Sequence, residues 1–251
     1  GRHLACQSLP REQRPLLKGG AVANGESLQE AASVQSDGLL QLIDGGRVVF
    51  VHLYHLCEGC DVKPVITGGV ELQGVAGDVG FPGDGIDLRT AGGNTIAGNH
   101  IGTDGTGTAD LGNGRRGVFV FGVKDNVIGG VGTGDGNVIS GNDDYGVLIL
   151  GGGTGNRIEG NLIGTNAAGT AALANTPNGV RVANSPGNTI GGNAAGAGNV
   201  VSGNDQYGVW IFGAASTGNV VEGNWIGTDS SGAMPLPNAD DGVELANAPA
   251  H

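Results

Sequence analysis

The sequence predicts an all-β protein in which short strands wind into a solenoid of stacked coils. A block of about sixty residues occurs twice nearly intact, from Gly117 and from Gly179, and begins a third time at Gly242. The chain contains 53 glycines in 251 residues, and they cluster with asparagine at fixed places in the block. The residues between these clusters are short runs of Val, Ile and Leu, which is typical of strands. A repeat of this length indicates stacked units rather than one irregular core.

Each block contains two coils of similar length. Strand openings recur at intervals of 32, 29, 33, 29 and 34 residues, at Gly85, Gly117, Gly146, Gly179, Gly208 and Gly242. Each coil holds three strand candidates, such as GVLIL, GNRIEGN and NLIGT, separated by Gly/Asn bends. Three strands per turn close a triangular prism, in which each strand pairs with its equivalent one coil away, at about 4.8 Å. We therefore predict at least five parallel coils over residues 85–247.

The strand that opens each coil has the pattern G-V-x-V, in which alternate residues face opposite sides of the sheet. The flanking apolar residues are predicted to face the interior: Val118, Val120, Val147, Ile149, Val180, Val182, Val209 and Ile211. The middle residues are predicted to face outward: Asp87, Phe119, Leu148, Arg181, Trp210 and Glu244.

Asparagine recurs at one bend of every coil, as Asn94, Asn126, Asn156, Asn188 and Asn219. Stacked one coil apart, these side chains are expected to form a ladder in which each amide bonds the next. We interpret the ladder as a device that holds the turn, in preference to a ligand site.

The N-terminal segment, residues 1–62, does not repeat, and the solenoid is predicted to occupy residues 63–251 with a degenerate first coil at 63–82. A short helix is predicted at 27–35 and a strand at 47–56. Two interpretations of the segment remain open: a cap over the end of the core, or a leader outside the fold. The chain stops inside a repeat, which favours a fragment and an open C-terminal coil. Self-association through that coil is therefore expected.

The charge of the chain excludes several classes of partner. The formal net charge is −12 with only three lysines, so nucleic acid and anionic membranes should be repelled. Cations are not repelled, and calcium is retained as a candidate cofactor. No stretch approaches the roughly 20 apolar residues of a membrane helix, so no membrane insertion is expected. Low lysine with abundant Asp, Asn, Gly and Thr is typical of extracellular proteins, which is the expected location.

Three cysteines are too few for a disulfide framework. One short stretch, HLYHLCEGC, contains four side chains of metal-ligand type: His52, His55, Cys57 and Cys60. Their crowding differs from the two separated pairs that are usual in zinc sites. No metal site is predicted, and these four remain weak candidates.

The repeat units resemble a known family. The recurring N-x-[IV]-x-G-N units at 94–99, 156–161 and 219–224, with the I-G-T-[DN]-x-x-G turns at Ile101, Ile163 and Ile226, resemble the right-handed parallel β-helix repeat family, the pectin-lyase-like architecture. The resemblance covers residues 85–247 and implies a right-handed parallel β-helix with a non-repeating N-terminal segment. This fold carries lyases, hydrolases, esterases, epimerases and non-enzymatic surface proteins, so it does not by itself assign a function.

The outward positions gather four of the ten aromatic residues of the chain on one face, with Arg181 between them: Phe119, Phe121, Trp210 and Phe212. An exposed apolar patch of this kind usually covers a partner or ligand. Saccharide contact is one interpretation, with Arg181 binding an acidic sugar. The other is coverage of the patch by a loop, by the N-terminal segment or by a second copy.

Carboxylates precede the outward-facing strands: Asp143 and Asp144 in GNDDYG correspond to Asp205 and Gln206 in GNDQYG. Paired acids serve acid–base chemistry or calcium binding, and aspartate also suits such bends for turn geometry alone. The resemblance implies that a lyase would need calcium-binding acids and a base, for which Arg181 is the candidate. It also implies that an esterase would use two Asp, a Gln and an Arg, residue types that occur here on different coils. The Gly-His-Gly and Arg-x-Lys segments of the β-helix glycosidases are absent from the sequence.

Two functions follow as expectations. The first is an extracellular β-helix protein that binds or processes polysaccharide, as a lyase, glycoside hydrolase or esterase if it is catalytic. The second is a non-catalytic surface, adhesin or structural module, which the near-identity of the repeats favours. Candidate catalytic residues are Asp143, Asp144, Asp205 and Arg181, and candidate ligand-binding residues are Phe119, Phe121, Arg181, Trp210 and Phe212.

Overall fold

A computed structural model describes residues 83–89 and 92–248 in full, and the backbone of four strands at 40–43, 47–51, 65–67 and 71–72. Within these residues all regular structure is β-strand, arranged in three sheets. Sheet 1 contains the strands that open the coils, each paired in parallel with the next: β5 (Ile86–Leu88), β8 (Val118–Phe121), β11 (Val147–Leu150), β14 (Val180–Ala183), β17 (Val209–Phe212) and β20 (Val243–Ala246).

In each coil, the sheet 1 strand is followed along the chain by one strand of sheet 2 and then by one strand of sheet 3. Sheet 2 is entirely parallel and contains β3 (Val65–Thr67), β6 (Thr95–Ala97), β9 (Val127–Gly129), β12 (Arg157–Glu159), β15 (Thr189–Gly191) and β18 (Val220–Glu222). Sheet 3 contains β1 (Leu40–Ile43), β2 (Arg47–Val51), β4 (Glu71–Leu72), β7 (His100–Ile101), β10 (Val138–Ile139), β13 (Leu162–Ile163), β16 (Val200–Val201) and β19 (Trp225–Ile226). Among the described strands of this sheet, the pair β1–β2 is antiparallel and the others are parallel.

The predicted all-β parallel solenoid is confirmed. Five complete coils run from β5–β7 to β17–β19, and β20 opens a sixth. Strand β2 lies inside the strand predicted at 47–56, whereas the helix predicted at 27–35 lies outside the described residues. The division of the chain at residue 62 stays a prediction.

The core is a set of aliphatic stacks inside the prism. All eight residues predicted to face inward from sheet 1 are at most 1 % exposed. Sheets 2 and 3 each add one inward residue per coil, as in the stacks Ile96–Ile128–Ile158–Ile190 and Ile101–Ile139–Ile163. Burial of each such side chain is worth roughly 1.5–3 kcal/mol, which makes these stacks the main source of stability.

All three corners of the prism are held by asparagine ladders. The ladder predicted from Asn94 to Asn219 is confirmed, with each Nδ2 donating to the next Oδ1 over 2.7–3.1 Å. Equivalent bonds join Asn99, Asn137, Asn161, Asn199 and Asn224, and also Asn113, Asn142, Asn175, Asn204 and Asn238. These amides are mostly buried and pair along the axis, so most of their polar groups are satisfied within the chain.

Candidate functional site

The outer face of sheet 1 contains the residues that were predicted to face outward. Strand pairing aligns Phe119 with Leu148, Leu148 with Arg181, and Arg181 with Trp210, so these side chains form one row along the solenoid. Phe121, Ala183 and Phe212 lie in a second row along the solenoid. Ala183 is two strands away from Phe121 and is paired with Phe212 on the next strand. The face therefore collects all five predicted ligand-binding residues on one sheet.

The expectation of an exposed aromatic patch is wrong for Phe119. Phe119 is only 3 % exposed and Leu148 only 5 %, while Phe121 is 42 % exposed. The physical reason is the arginine side chains that lie on Phe119: the Arg116 Cζ atom is 3.8 Å from its ring centroid, and that of Arg89 is 4.9 Å away. The row divides into a covered half and a more open half.

The covered half is neutralised by ion pairs. Buried Arg116 donates from Nε and Nη2 to the two carboxylate oxygens of Asp84, over 2.7 and 2.8 Å. Arg89 donates from Nε to Asp87 over 2.8 Å. Burial raises the pKa of Asp87, and the bond from Arg89 opposes that shift. Both guanidinium groups thus form ion pairs with carboxylates, and Phe119 is buried beneath the two arginine side chains.

The more open half is centred on Arg181, and we call its five residues the Arg181 cluster: Tyr145, Arg181, Tyr207, Trp210 and Phe212. The Arg181 Cζ atom lies 4.2 Å from the Trp210 ring centroid, 5.1 Å from that of Tyr145 and 5.8 Å from that of Phe212. One terminal nitrogen of Arg181 donates to the Tyr145 hydroxyl. The Trp210 ring in turn contacts Tyr207 at 5.6 Å and Phe212 at 5.4 Å between centroids.

Arg181 differs electrostatically from three other arginines of the solenoid. Among the described residues, Arg89, Arg116 and Arg157 form ion pairs with carboxylates, and Arg181 forms none. Its Nε and the Nε1 of Trp210 are shielded from solvent and have no hydrogen-bond partner in the described part of the chain. Arg181 therefore keeps its positive charge on the aromatic rings without a carboxylate partner among the described residues.

The acidic candidates do not form a constellation with Arg181. Asp143 and Asp205 are exposed, and Asp205 accepts a bond of 2.6 Å from the Thr176 hydroxyl. Asp144 is half-buried; burial raises its pKa, and the positive charge of Arg116 opposes the shift. Within the described residues no hydrogen bond or ion pair joins any of these acids to Arg181.

Sequence reasoning missed four residues of the face. Tyr145 and Tyr207 occupy the same position in GNDDYG and GNDQYG, so their recurrence two coils apart was an available signal. Asp84 and Arg116 pair across one coil, and no local motif marks that contact. The stacking of coils brings all four residues to this face.

Metal and membrane features are limited in the described residues. They contain no group of three or more His, Cys, Asp or Glu side chains placed to hold a metal ion. The weak candidates His52, His55, Cys57 and Cys60 lie outside the described residues. The same part of the chain contains no helix with the length and apolar character needed to span a membrane.

Comparisons with known proteins add no family to this description. No protein-family model, curated protein or solved structure was found to match the chain.

Proposed function

We propose that this chain is an extracellular β-helix protein, of the pectin-lyase-like kind, that binds acidic polysaccharide through the Arg181 cluster. The observation that carries the proposal is the state of Arg181, a cation on the Trp210 ring with no carboxylate partner among the described residues. A uronate carboxylate matches a guanidinium in charge and geometry. The apolar faces of a sugar ring match the flanking aromatic rings.

Binding without turnover is favoured over processing. Hydrolysis or elimination needs an acid and a base within reach of one bond, about 2.6–3.2 Å from the atoms whose protons they move. The near-identity of the repeats instead favours a non-catalytic surface or adhesin module, because an active site would break that symmetry in one coil.

The test is affinity electrophoresis of the wild type and of Arg181→Ala through gels containing polygalacturonate or alginate, with and without calcium. We expect retardation of the wild type and its loss in the variant. Arg157→Ala is the matched control, because Arg157 is an exposed arginine on sheet 2. Equal retardation of wild type and Arg181→Ala would contradict the proposal.

Processing is tested on the same polymers and on methyl-esterified pectin. New reducing ends, unsaturated products and released methanol report hydrolase, lyase and esterase activity respectively. We expect none above a heat-treated control. Turnover that is abolished by Asp144→Asn would establish an enzyme instead of a binding module.

A further inference from the structure

The last described coil ends in an open strand edge. Strand β20 lies at one end of sheet 1 and pairs with β17 alone in the described part of the chain. Val209 N donates to Gly242 O over 2.9 Å, so alternate peptide groups of β20 face β17. The peptide groups of Val243 and Leu245 face the other way, toward the edge. An edge of this kind is a template for pairing with another segment.

The side chains at this edge belong to the core but are not covered. Val243 and Leu245 pair in register with Val209 and Ile211, which are at most 1 % exposed. Val243 itself is 42 % exposed and Leu245 is 53 % exposed, because the described residues provide no further coil above them. Trp225, at the same end of sheet 3, is 47 % exposed. An apolar surface of this kind usually binds a partner.

The same end is strongly acidic. Residues 182–248 contain no Lys or Arg, and their acidic side chains are Asp205, Glu222, Asp229, Asp240, Asp241 and Glu244. Desolvation raises the pKa of Tyr207, and the negative charges of Asp240, Glu244 and Asp241 add to that shift. These three carboxylates therefore lie around one ring beside β20. Their charge favours a cationic occupant of the open edge.

The first eighteen residues of the chain have the matching chemistry. They contain the acid Glu12 and the basic residues Arg2, Arg11, Arg14 and Lys18, so their formal charge is 4 − 1 = +3. The rest of the chain carries −12 − 3 = −15. The basic residues are interspersed with the leucines Leu4, Leu9, Leu16 and Leu17. The segment thus complements the last coil in both charge and apolar character.

The order of the strands places the start of the chain at the end of the solenoid that is opposite the last coil. Strand β1, which follows the segment along the chain, lies at one end of sheet 3, and β19 of the last coil lies at the other. Seven strand spacings, about 34 Å, separate these two strands. When two copies stack with the same polarity, the β1 end of one copy meets the last coil of the other.

We propose that the last coil binds residues 1–18 of a second copy, which joins copies of the chain head to tail. The basic side chains of the segment lie against the carboxylates around β20, and its leucines cover the apolar end. The contact joins two different surfaces, so copies add in series. Direct pairing of two last coils is disfavoured, because like charges would meet. This association does not depend on polysaccharide binding by the Arg181 cluster.

Charge reversal in the segment tests the proposal on the whole chain. The segment variant carries Arg11→Glu, Arg14→Glu and Lys18→Glu. The matched control changes the charge equally at three exposed basic residues of the solenoid, as Arg115→Glu, Lys124→Glu and Arg157→Glu. Thermal melts establish that each protein is folded, and sedimentation equilibrium gives the dissociation constant. The segment variant should raise this constant at least about tenfold, with the control within about threefold. Salt at about 0.5 M should also weaken association of the wild type.

Compensating changes in the last coil provide the second test. The coil variant carries Asp240→Lys, Asp241→Lys and Glu244→Lys. Alone it should weaken association, and combined with the segment variant it should restore the dissociation constant to within about threefold of the wild type. The proposal is overturned if the wild type stays monomeric or if the segment variant associates as tightly as the control. It is also overturned if the folded combined variant associates as weakly as the segment variant.

Discussion

The guanidinium carbon of Arg181 lies 4.2 Å from the ring centroid of Trp210, its direct partner on the next strand of sheet 1. Because the two residues are paired by register, their contact is fixed by the stacking of coils rather than by a loop. The contact holds the cation in place without neutralising it.

Replacement of Trp210 by alanine is expected to destabilise the fold only slightly. Trp210 is half-buried on the outer face, so its contact with Arg181 is worth about 0.5–1 kcal/mol. Urea unfolding should show a loss well below the roughly 3–5 kcal/mol of a fully buried aromatic. A loss in that larger range would show that the face is a packing surface. Trp210→Phe, which keeps a ring over Arg181, should fall closer to the wild type.

Replacement of Asn161 by alanine is expected to be far more costly. Asn161 accepts from the backbone N and Nδ2 of Asn137 and donates to Asn199 Oδ1 and the Ile128 carbonyl. Each buried group left unsatisfied costs about 1–3 kcal/mol, so the total should exceed about 3 kcal/mol in urea unfolding.

Asn193→Ala is the control for Asn161→Ala. Asn193 is an exposed loop residue whose side chain donates to Glu222 of β18, so its loss should cost no more than about 0.5 kcal/mol. Similar losses in the two variants would refute the structural role of the ladder.

The I-G-T turns are expected to make the solenoid sensitive to acid. The Thr106 hydroxyl and the backbone amides of Ala109 and Thr108 hold the pKa of Asp104 well below its usual range, and Ser231 lowers that of Asp229 in the same way. Because the pKa is depressed in the folded state, the stabilisation is present above the unfolded pKa of about 4 and is lost as the pH falls below it.

Asn166 occupies the equivalent position in the turn between them and accepts from Thr170 N over 2.9 Å. The double variant Asp104→Asn, Asp229→Asn should therefore fold at neutral pH and lose less stability than the wild type on acidification. Thermal melts from pH 7 down to about pH 2 check this. Parallel pH profiles for the two proteins would contradict it.

The last described coil is expected to associate with a second copy of the chain. Four of its large apolar residues are 42–53 % exposed: Val220, Trp225, Val243 and Leu245. We propose that these side chains are buried in self-association. Light scattering should show a mass that rises with concentration, and Leu245→Glu should abolish the rise. A wild type that stays monomeric at high concentration would oppose this proposal.

The periodicity of the sequence alone was sufficient to predict which strand residues form the core of the solenoid. Residues such as Val147 and Ile149 are buried because strand side chains alternate, and this alternation is a local property of the backbone. The ladder from Asn94 to Asn219 was equally accessible, because one asparagine recurs at each turn. The ladders of the other two corners carry the same signal in less regular spacing.

Contacts between coils determine which residues of the outer surface are buried and which are exposed. Phe119 and Phe121 occupy the same kind of outward position, yet Phe119 is buried and Phe121 is exposed. The difference arises from Arg116, whose position over Phe119 depends on its ion pair with Asp84 one coil away. Loops two coils apart likewise meet, as where Ala167 N donates to Gly107 O. Such contacts join residues distant in the chain, so strand alternation determines the core, whereas tertiary packing determines which outer surfaces remain open to a ligand.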